Sequence, residues 1–240
     1  MIFDASKKLI RFYGRRKGRS LSENNQFALQ EGAKYFIKNS HLSLTSKLIL
    51  EDLVEFKPKK IILEIGFGSG ENLLKSAKMN PDILYLGADP FLNTNAKCIK
   101  EILNYNIKNI MIWPDDIRKI IEFFPSNIFS EIKILFPDPW PKFKHKNRRL
   151  IQDNFLISLY NVLKTNGIIT LGTDHFIMKS WILEIFQNNS GFQWTAETAT
   201  DWRTKPIHYV TTKYEQKAIN ENRDPHWFIF KKINKNFRTN

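Results

Sequence analysis

Cysteine is almost missing from this chain: Cys98 is the only one in 240 residues. No disulfide can form within the chain, and a cysteine-ligated zinc cluster is excluded. Long apolar runs are missing too, so no segment reads as a membrane span. The opening residues Met-Ile-Phe-Asp-Ala-Ser-Lys-Lys put Asp4, Lys7 and Lys8 where a signal peptide needs an apolar core. These absences predict a soluble, cytoplasmic protein. Acids are scarce relative to bases: 24 Asp and Glu against 37 Lys and Arg give a net charge of +13. That balance favours polyanionic partners, nucleic acid before anionic membrane. A joint richness in Ile, Lys and Asn also fits a genome's nucleotide bias. The five histidines (His41, His145, His175, His208 and His226) are scattered without metal-ligand spacing, so no metal is expected. Repeats and low-complexity tracts are absent.

What is present is a globular chain, 42% apolar, long enough to bury a full core without staples. Residues 1–22 read as a basic leader, with Arg11, Arg15, Arg16, Lys17 and Arg19 set among Phe12, Tyr13, Gly14 and Gly18. Such a leader is poorly ordered unless it docks. Residues 23–240 read as one domain. A helix is predicted over 23–38. From residue 60, strands and helices alternate: strands over 61–65, 84–88, 110–113, 132–136 and 168–171, helices over 71–78, 93–104, 149–164 and 175–187. Asn166-Gly167 is expected to stop the 149–164 helix. Strands separated by helical patterns make βαβ units and a parallel sheet. At the end, 192–200 and 227–232 read as strands with no comparable helix between them, an antiparallel hairpin at the sheet edge. Cys98 is expected to be buried in its helix. Trp113 and Phe67 read as core or pocket wall, and Trp140 as either a packing or a stacking residue.

Three acids and a glycine turn carry the first chemistry. Glu64-Ile65-Gly66-Phe67-Gly68-Ser69-Gly70 joins the first strand to its helix. Glycines there let the backbone turn sharply and approach a ligand. The spacing is G-x-G-x-G, tighter than the G-x-G-x-x-G that cradles a pyrophosphate. Asp89 ends the second strand, where a carboxylate can accept both ribose hydroxyls. Asp115-Asp116 follows the third, where a carboxylate can accept an adenine amine. Either of the pair could do so, and Asp115 comes first after the strand. These residues resemble the class I S-adenosylmethionine-dependent methyltransferases, whose sulfonium also suits an acidic pocket. The fold this implies is Rossmann-like α/β: a mostly parallel seven-stranded sheet, an antiparallel edge hairpin, and helices on both faces.

The fourth strand narrows the resemblance. Phe136-Pro137-Asp138-Pro139-Trp140-Pro141-Lys142 holds a carboxylate between two prolines, which fix the backbone on either side. The following run, Lys142-Phe143-Lys144-His145-Lys146-Asn147-Arg148-Arg149, opposes the dipole of a helix starting at 149, so phosphate binding explains it better than local stability. Together with Leu-Glu-Ile-Gly-Phe-Gly-Ser-Gly over 63–70, Thr173-Asp174, Thr212-Lys213-Tyr214-Glu215 and the Arg-Arg-Lys-Gly-Arg leader, this resembles the bacterial tRNA (guanine-N7-)-methyltransferase family over about residues 11–216. Tyr214 replaces the family's Phe, Asn147 stands where a base is common, and Asp89 is the shorter of two acids in use.

The resemblance implies S-adenosylmethionine as cofactor and tRNA as partner, with 7-methylguanosine in the variable loop as product. Glu64, Gly66, Gly68, Gly70, Asp89, Asp115 and Asp138 are the expected cofactor residues, with Asp138 also catalytic. Lys142, Asp174, Thr212, Lys213, Tyr214 and Glu215 are expected on the substrate. Arg15, Arg16, Lys144, Arg148 and Arg149 are expected on RNA phosphates. Monomer and homodimer are both compatible with the sequence. An amino-group methyltransferase acting on adenine or cytosine is the first alternative, disfavoured because such enzymes carry Asp/Asn-Pro-Pro-aromatic at this strand end. A non-enzymatic RNA-binding module is the second, disfavoured because the acids and glycines are all present.

Overall fold

The computed structural model describes residues 11–234; residues 1–10 of the expected leader and 235–240 lie outside the described part. Its elements are α1 (Glu23–Glu31), β1 (Lys60–Ile65), α2 (Glu71–Met79), β2 (Ile83–Ala88), α3 (Leu92–Asn104), β3 (Ile110–Trp113), β4 (Phe129–Leu135), α4 (Asp153–Val162), β5 (Leu163–Thr173), α5 (Phe176–Gln187), β6 (Phe192–Trp194), α6 (Ala199–Arg203), α7 (Lys213–Asn220) and β7 (His226–Lys232). One seven-stranded sheet runs β3-β2-β1-β4-β5-β7-β6. The first five strands are parallel, and β7 is antiparallel to both β5 and β6.

The near-continuous apolar strands are what a sheet covered on both faces requires. Along β1 the side chains alternate: Ile61, Leu63 and Ile65 enter one core with α4 and α5, and Ile62 enters the other with α2 and α3. No described helix is long and apolar enough to cross a membrane.

Several boundaries differ from the sequence pattern. The α-helix expected over 23–38 ends at Glu31 and passes into a 3-10 turn over Gly32–Tyr35, where Gly32 crosses close over α3: a Cβ there would meet Ile99 Cγ2 at 2.2 Å. The chain then drops Ile37 into the core through its N–H bond to Ile112 O, 2.8 Å. The helix expected from 149 starts at Asp153 and ends at Val162. Asn166, with φ of 63°, makes a bulge inside β5 rather than a helix stop, and the pairing with β4 shifts register there. The 192–200 strand is only Phe192–Trp194. No simple hairpin follows, because α6 and α7 fill the connection to β7. Thr198 starts α6 by donating its N–H and hydroxyl to Asp201 Oδ2 at 2.7 and 3.0 Å. Thr212 starts α7 by accepting the Glu215 N–H at 3.2 Å. Cys98 is buried, as expected.

Candidate active site

The strand order reverses at β1, with β2 on one side and β4 on the other. Open α/β sheets bind ligands at such a switch point, beyond the carboxyl ends of the strands. A cavity of about 600 Å³ opens there, walled by Gly66, Gly68, Asp89, Asp115, Asp138 and Tyr214, among others. Gly66, Gly68 and Gly70 have φ of 74°, 57° and 85°, a region that side chains resist. Each serves differently. A Cβ on Gly66 would meet nothing within 4 Å, so its backbone faces open space at the cavity wall. Gly68 gives its N–H to Asp89 Oδ2 at 3.0 Å. Gly70 is a packing glycine, since a Cβ there would meet Cys98 Sγ at 2.7 Å.

The acids part company. Asp89 takes the N–H groups of Gly68 and of Phe91 (2.8 Å), which aims its carboxylate, and burial pushes its pKa up. Glu64, expected on the cofactor, does not line the cavity. Strand alternation turns it to the face under α2, where it is 2% exposed and accepts from Asn72 Nδ2 at 2.6 Å. Burial raises its pKa to about 7. Asp115 and Asp116 both line the cavity. Arg118 fills both oxygens of Asp116, at 2.6 to 3.1 Å. Asp115 meets Arg16 at 2.9 Å and Lys119 at 2.5 Å.

Asp138 sits on a strained frame. Phe136 and Trp140 have φ of 52° and 40°, left-handed values that bulky side chains avoid. Two clamps hold the frame. Phe136 N–H bonds to Gly172 O at 2.8 Å. Arg149 donates to Pro139 O at 3.1 Å and Trp140 O at 3.3 Å, with its guanidinium over the Trp181 ring. Arg149 is 4% exposed, so the structure overturns its expected phosphate contact: its donors are engaged by backbone carbonyls. Asp138 stays open to the cavity, and the surrounding protein pushes its pKa up.

The described part of the leader, residues 11–22, is docked. Arg16 O accepts the Leu92 N–H, Gly18 N–H reaches Asn93 Oδ1, and Asn93 Nδ2 returns to Arg19 O. Phe12, Tyr13 and Arg15 therefore line the cavity, and Arg16 is paired with Asp115. Arg148 lies 5.1 Å from the ring centroids of both Tyr13 and Trp140, and Trp140 also lines the cavity. The cationic run folds as its own 3-10 turn over Phe143–Arg148, ahead of α4 rather than on its first turn. Lys144 is exposed on it, and Lys142 is exposed just ahead of it.

Of the expected substrate residues, Tyr214 faces the cavity, and Asp89 and Asp138 join burial in raising its pKa. Lys213 bonds to Ser69 Oγ at 3.4 Å and pairs with Glu71 at 3.2 Å, tying α7 to the glycine turn. Thr212 caps α7, and buried Glu215 pairs with Lys205 at 3.3 Å. Asp174 pairs with Arg223. Thr212, Glu215 and Asp174 do not line the cavity. The sequence pattern missed α7 itself and the clamp at Arg149. The signal for α7 was present, since Thr212 three residues before Glu215 is a helix-start pattern.

Residues 58–228 match the family model described as "Putative methyltransferase". The chain is 34% identical over 225 residues to the tRNA (guanine-N(7)-)-methyltransferase of Jannaschia sp. (strain CCS1), spanning 92% of this chain and 94% of that protein. It is 35% identical over 222 residues to the enzyme of the same name from Agrobacterium fabrum, spanning 91% and 94%. The chain belongs to the tRNA (guanine-N7-)-methyltransferase family. Solved structures show the fold of this methyltransferase. A mutant 16S rRNA (adenine(1408)-N(1))-methyltransferase with cosubstrate SAM, from Catenulisporales acidiphilia, superposes with a TM-score of 0.53 at 12% identity. That match covers 76% of this chain and 88% of the other. The Rossmann-like class I methyltransferase fold is thus shared well beyond the range of sequence similarity.

Proposed function

We propose that this methyltransferase transfers the methyl group of S-adenosylmethionine to N7 of a guanine in the variable loop of tRNA, forming 7-methylguanosine. The observation that carries the reading is Asp138, held rigidly by the strained Phe136–Trp140 backbone at the same cavity as Gly66, Gly68 and Asp89. The cavity fits the cofactor. The Gly66 backbone borders open space where any Cβ would intrude, and Asp89 is aimed by two backbone N–H groups at the place a ribose diol would occupy. Asp115 is the proposed acceptor for the adenine amine, because it comes first after β3 and its side chain is 23% exposed against 3% for Asp116. When bound, S-adenosylmethionine supplies an electrophilic methyl group on a sulfonium.

Guanine N7 carries a lone pair and no proton, so the transfer needs no general base. The chain's task is orientation. Asp138 accepts from guanine N1–H and N2–H₂, and Tyr214 closes the opposite wall. The target base must leave its stack to enter. Lys142, Lys144, Arg148 and Arg15 hold phosphates. Lys213, Thr212, Glu215 and Asp174 shape the rim on which the RNA rests, Thr212 and Glu215 by starting α7.

The test is a nucleoside digest with mass spectrometry after incubating unmodified tRNA with protein and S-adenosylmethionine. Formation of 7-methylguanosine supports the reading. A methylated adenine or cytosine, or no methylated nucleoside at all, overturns it.

A further inference from the structure

Glu64 opens the glycine motif yet lies off the cavity, and it is one of a set of polar groups in an otherwise apolar sheet. Glu64, Lys133 and Thr170 are register partners across β1, β4 and β5, forming one row. All three are buried. Glu131 lies one side-chain step away on β4 and accepts from Thr170 Oγ1 at 3.4 Å. Buried charge in a sheet covered on both faces is costly unless it is partnered. The missing partner comes from the chain between α6 and α7. The Tyr209 hydroxyl donates to Glu131, and Lys133 Nζ sits 4.5 Å from the centre of the Tyr209 ring. The next residue is held as well: Val210 N–H reaches Asn72 Oδ1 at 3.3 Å, and Asn72 Nδ2 reaches Glu64 at 2.6 Å.

This anchorage touches both arms of the site. Thr212, which starts α7, follows Tyr209 by three residues, and Tyr214 by five. On its other side the Tyr209 ring meets Trp227 edge-on, with centroids 5.4 Å apart, and Trp227 meets Phe136 at 5.8 Å and 90°. Phe136 begins the strained backbone that carries Asp138.

We propose that Tyr209 is a positioning residue: seated on Lys133 of the buried row and on Glu131 beside it, it fixes the start of α7, and with it Tyr214, across the cavity from Asp138. Its effect on turnover rests on the reaction proposed above. The seating itself does not.

The test uses the full chain. Tyr209→Phe keeps the ring against Trp227 and removes the hydroxyl. Displacing a positioning group by about 1 Å can cost on the order of 100-fold, so kcat should fall about 10- to 100-fold. Cofactor affinity by calorimetry should stay within about twofold, because Tyr209 touches none of the cavity. Glu131→Gln retains a carbonyl acceptor and should keep most of the activity. Glu131→Ala should match Tyr209→Phe, and the double variant should be no worse than either alone. Hydrogen exchange reads the seating without turnover: in Tyr209→Phe, amides of residues 205–215 should lose protection while those of β1 and β4 keep theirs. Unchanged exchange in that segment overturns the proposal. So does a variant that loses cofactor affinity and turnover in equal measure. If the wild-type protein makes no 7-methylguanosine, the reaction reading fails, and exchange still decides the role of Tyr209.

Discussion

The two walls of the cavity are built by opposite means. The wall at β1, β2 and β3 is regular: strands and tight turns, with cavity-facing positions supplied by glycine backbone and by carboxylates at strand ends. The wall at β4 and beyond is irregular. It depends on left-handed Phe136 and Trp140, on the buried Arg149 clamp and on a segment seated through Tyr209. The first wall repeats geometry that any parallel sheet supplies. The second holds shapes the chain would not adopt alone, fixed by the Gly172 carbonyl at Phe136 and by the Arg149 side chain at Pro139 and Trp140. A binding surface for a common cofactor can come from the fold itself, whereas selection of one atom on one base calls for a surface built to order.

Substitutions can break this contrast. The largest effect is expected on the irregular wall, at its tip. Asp138→Ala should abolish 7-methylguanosine formation in the digest assay while leaving thermal unfolding unchanged. Near-normal kcat would remove Asp138 from the chemistry.

Next comes Glu64, which lies buried under the regular wall, off the cavity. Its folded pKa of about 7 stands above its ordinary value of 4.5. The folded state therefore binds the proton more tightly, and this contribution is full below pH 4.5 and lost as pH rises through about 7. The shift corresponds to about 3 kcal/mol. In urea titrations at acidic and alkaline pH, Glu64→Gln should lack this decline. Parallel pH curves for the two proteins would show that Glu64 does not titrate in that range.

Salt dependence sharpens the RNA face. The sequence offered five cations for phosphate, with Lys142 beside them on the substrate, but Arg149 is engaged by carbonyls and Arg16 by Asp115. The remaining Arg15, Lys142, Lys144 and Arg148, at a slope of about 0.9 each, should cost roughly 100-fold in tRNA affinity between about 50 and 200 mM salt. Lys144→Ala should flatten that slope by about 1, while Arg149→Ala should leave it unchanged. Instead, Arg149→Ala should lower unfolding stability by about 2 kcal/mol, because two carbonyls lose their donors. A salt slope that moves with Arg149 would return it to the RNA surface. The smallest effect belongs to the regular wall. Gly66→Ala should cost about 1 kcal/mol of stability at its left-handed φ, with weakened cofactor binding as the more visible result in calorimetry.

The same contrast explains what the sequence disclosed. Near-continuous apolar runs located all five parallel strands, because a strand buried on both faces must be apolar throughout. Asp89 and Asp115 were expected together because strand ends converge at a switch point, and both line the cavity there. Glu64 was expected on the cofactor because the motif gives its position along β1, but strand alternation puts its side chain under α2, off the cavity. Arg149 looked like its exposed neighbours because a cation's partner, here a pair of carbonyls earlier in the chain, leaves no mark in composition. The last part of the sheet was read too simply, since α6 and α7 are short and owe their starts to Thr198 and Thr212 rather than to long apolar periodicity.

One consequence concerns the order in which the chain is made. β7 lies between β5 and β6, although it follows both in sequence. Until residues 226–232 leave the ribosome, β5 presents an open hydrogen-bonding edge and β6 has nothing to pair with. At about 5–20 residues per second, the fifty-odd residues separating β5 from β7 keep that edge bare for roughly 3–10 s. A naked edge of Leu, Ile and Thr is a template for pairing with the wrong chain. The growing polypeptide must therefore pass through a sticky interval that closes only when its last described strand slots into the gap.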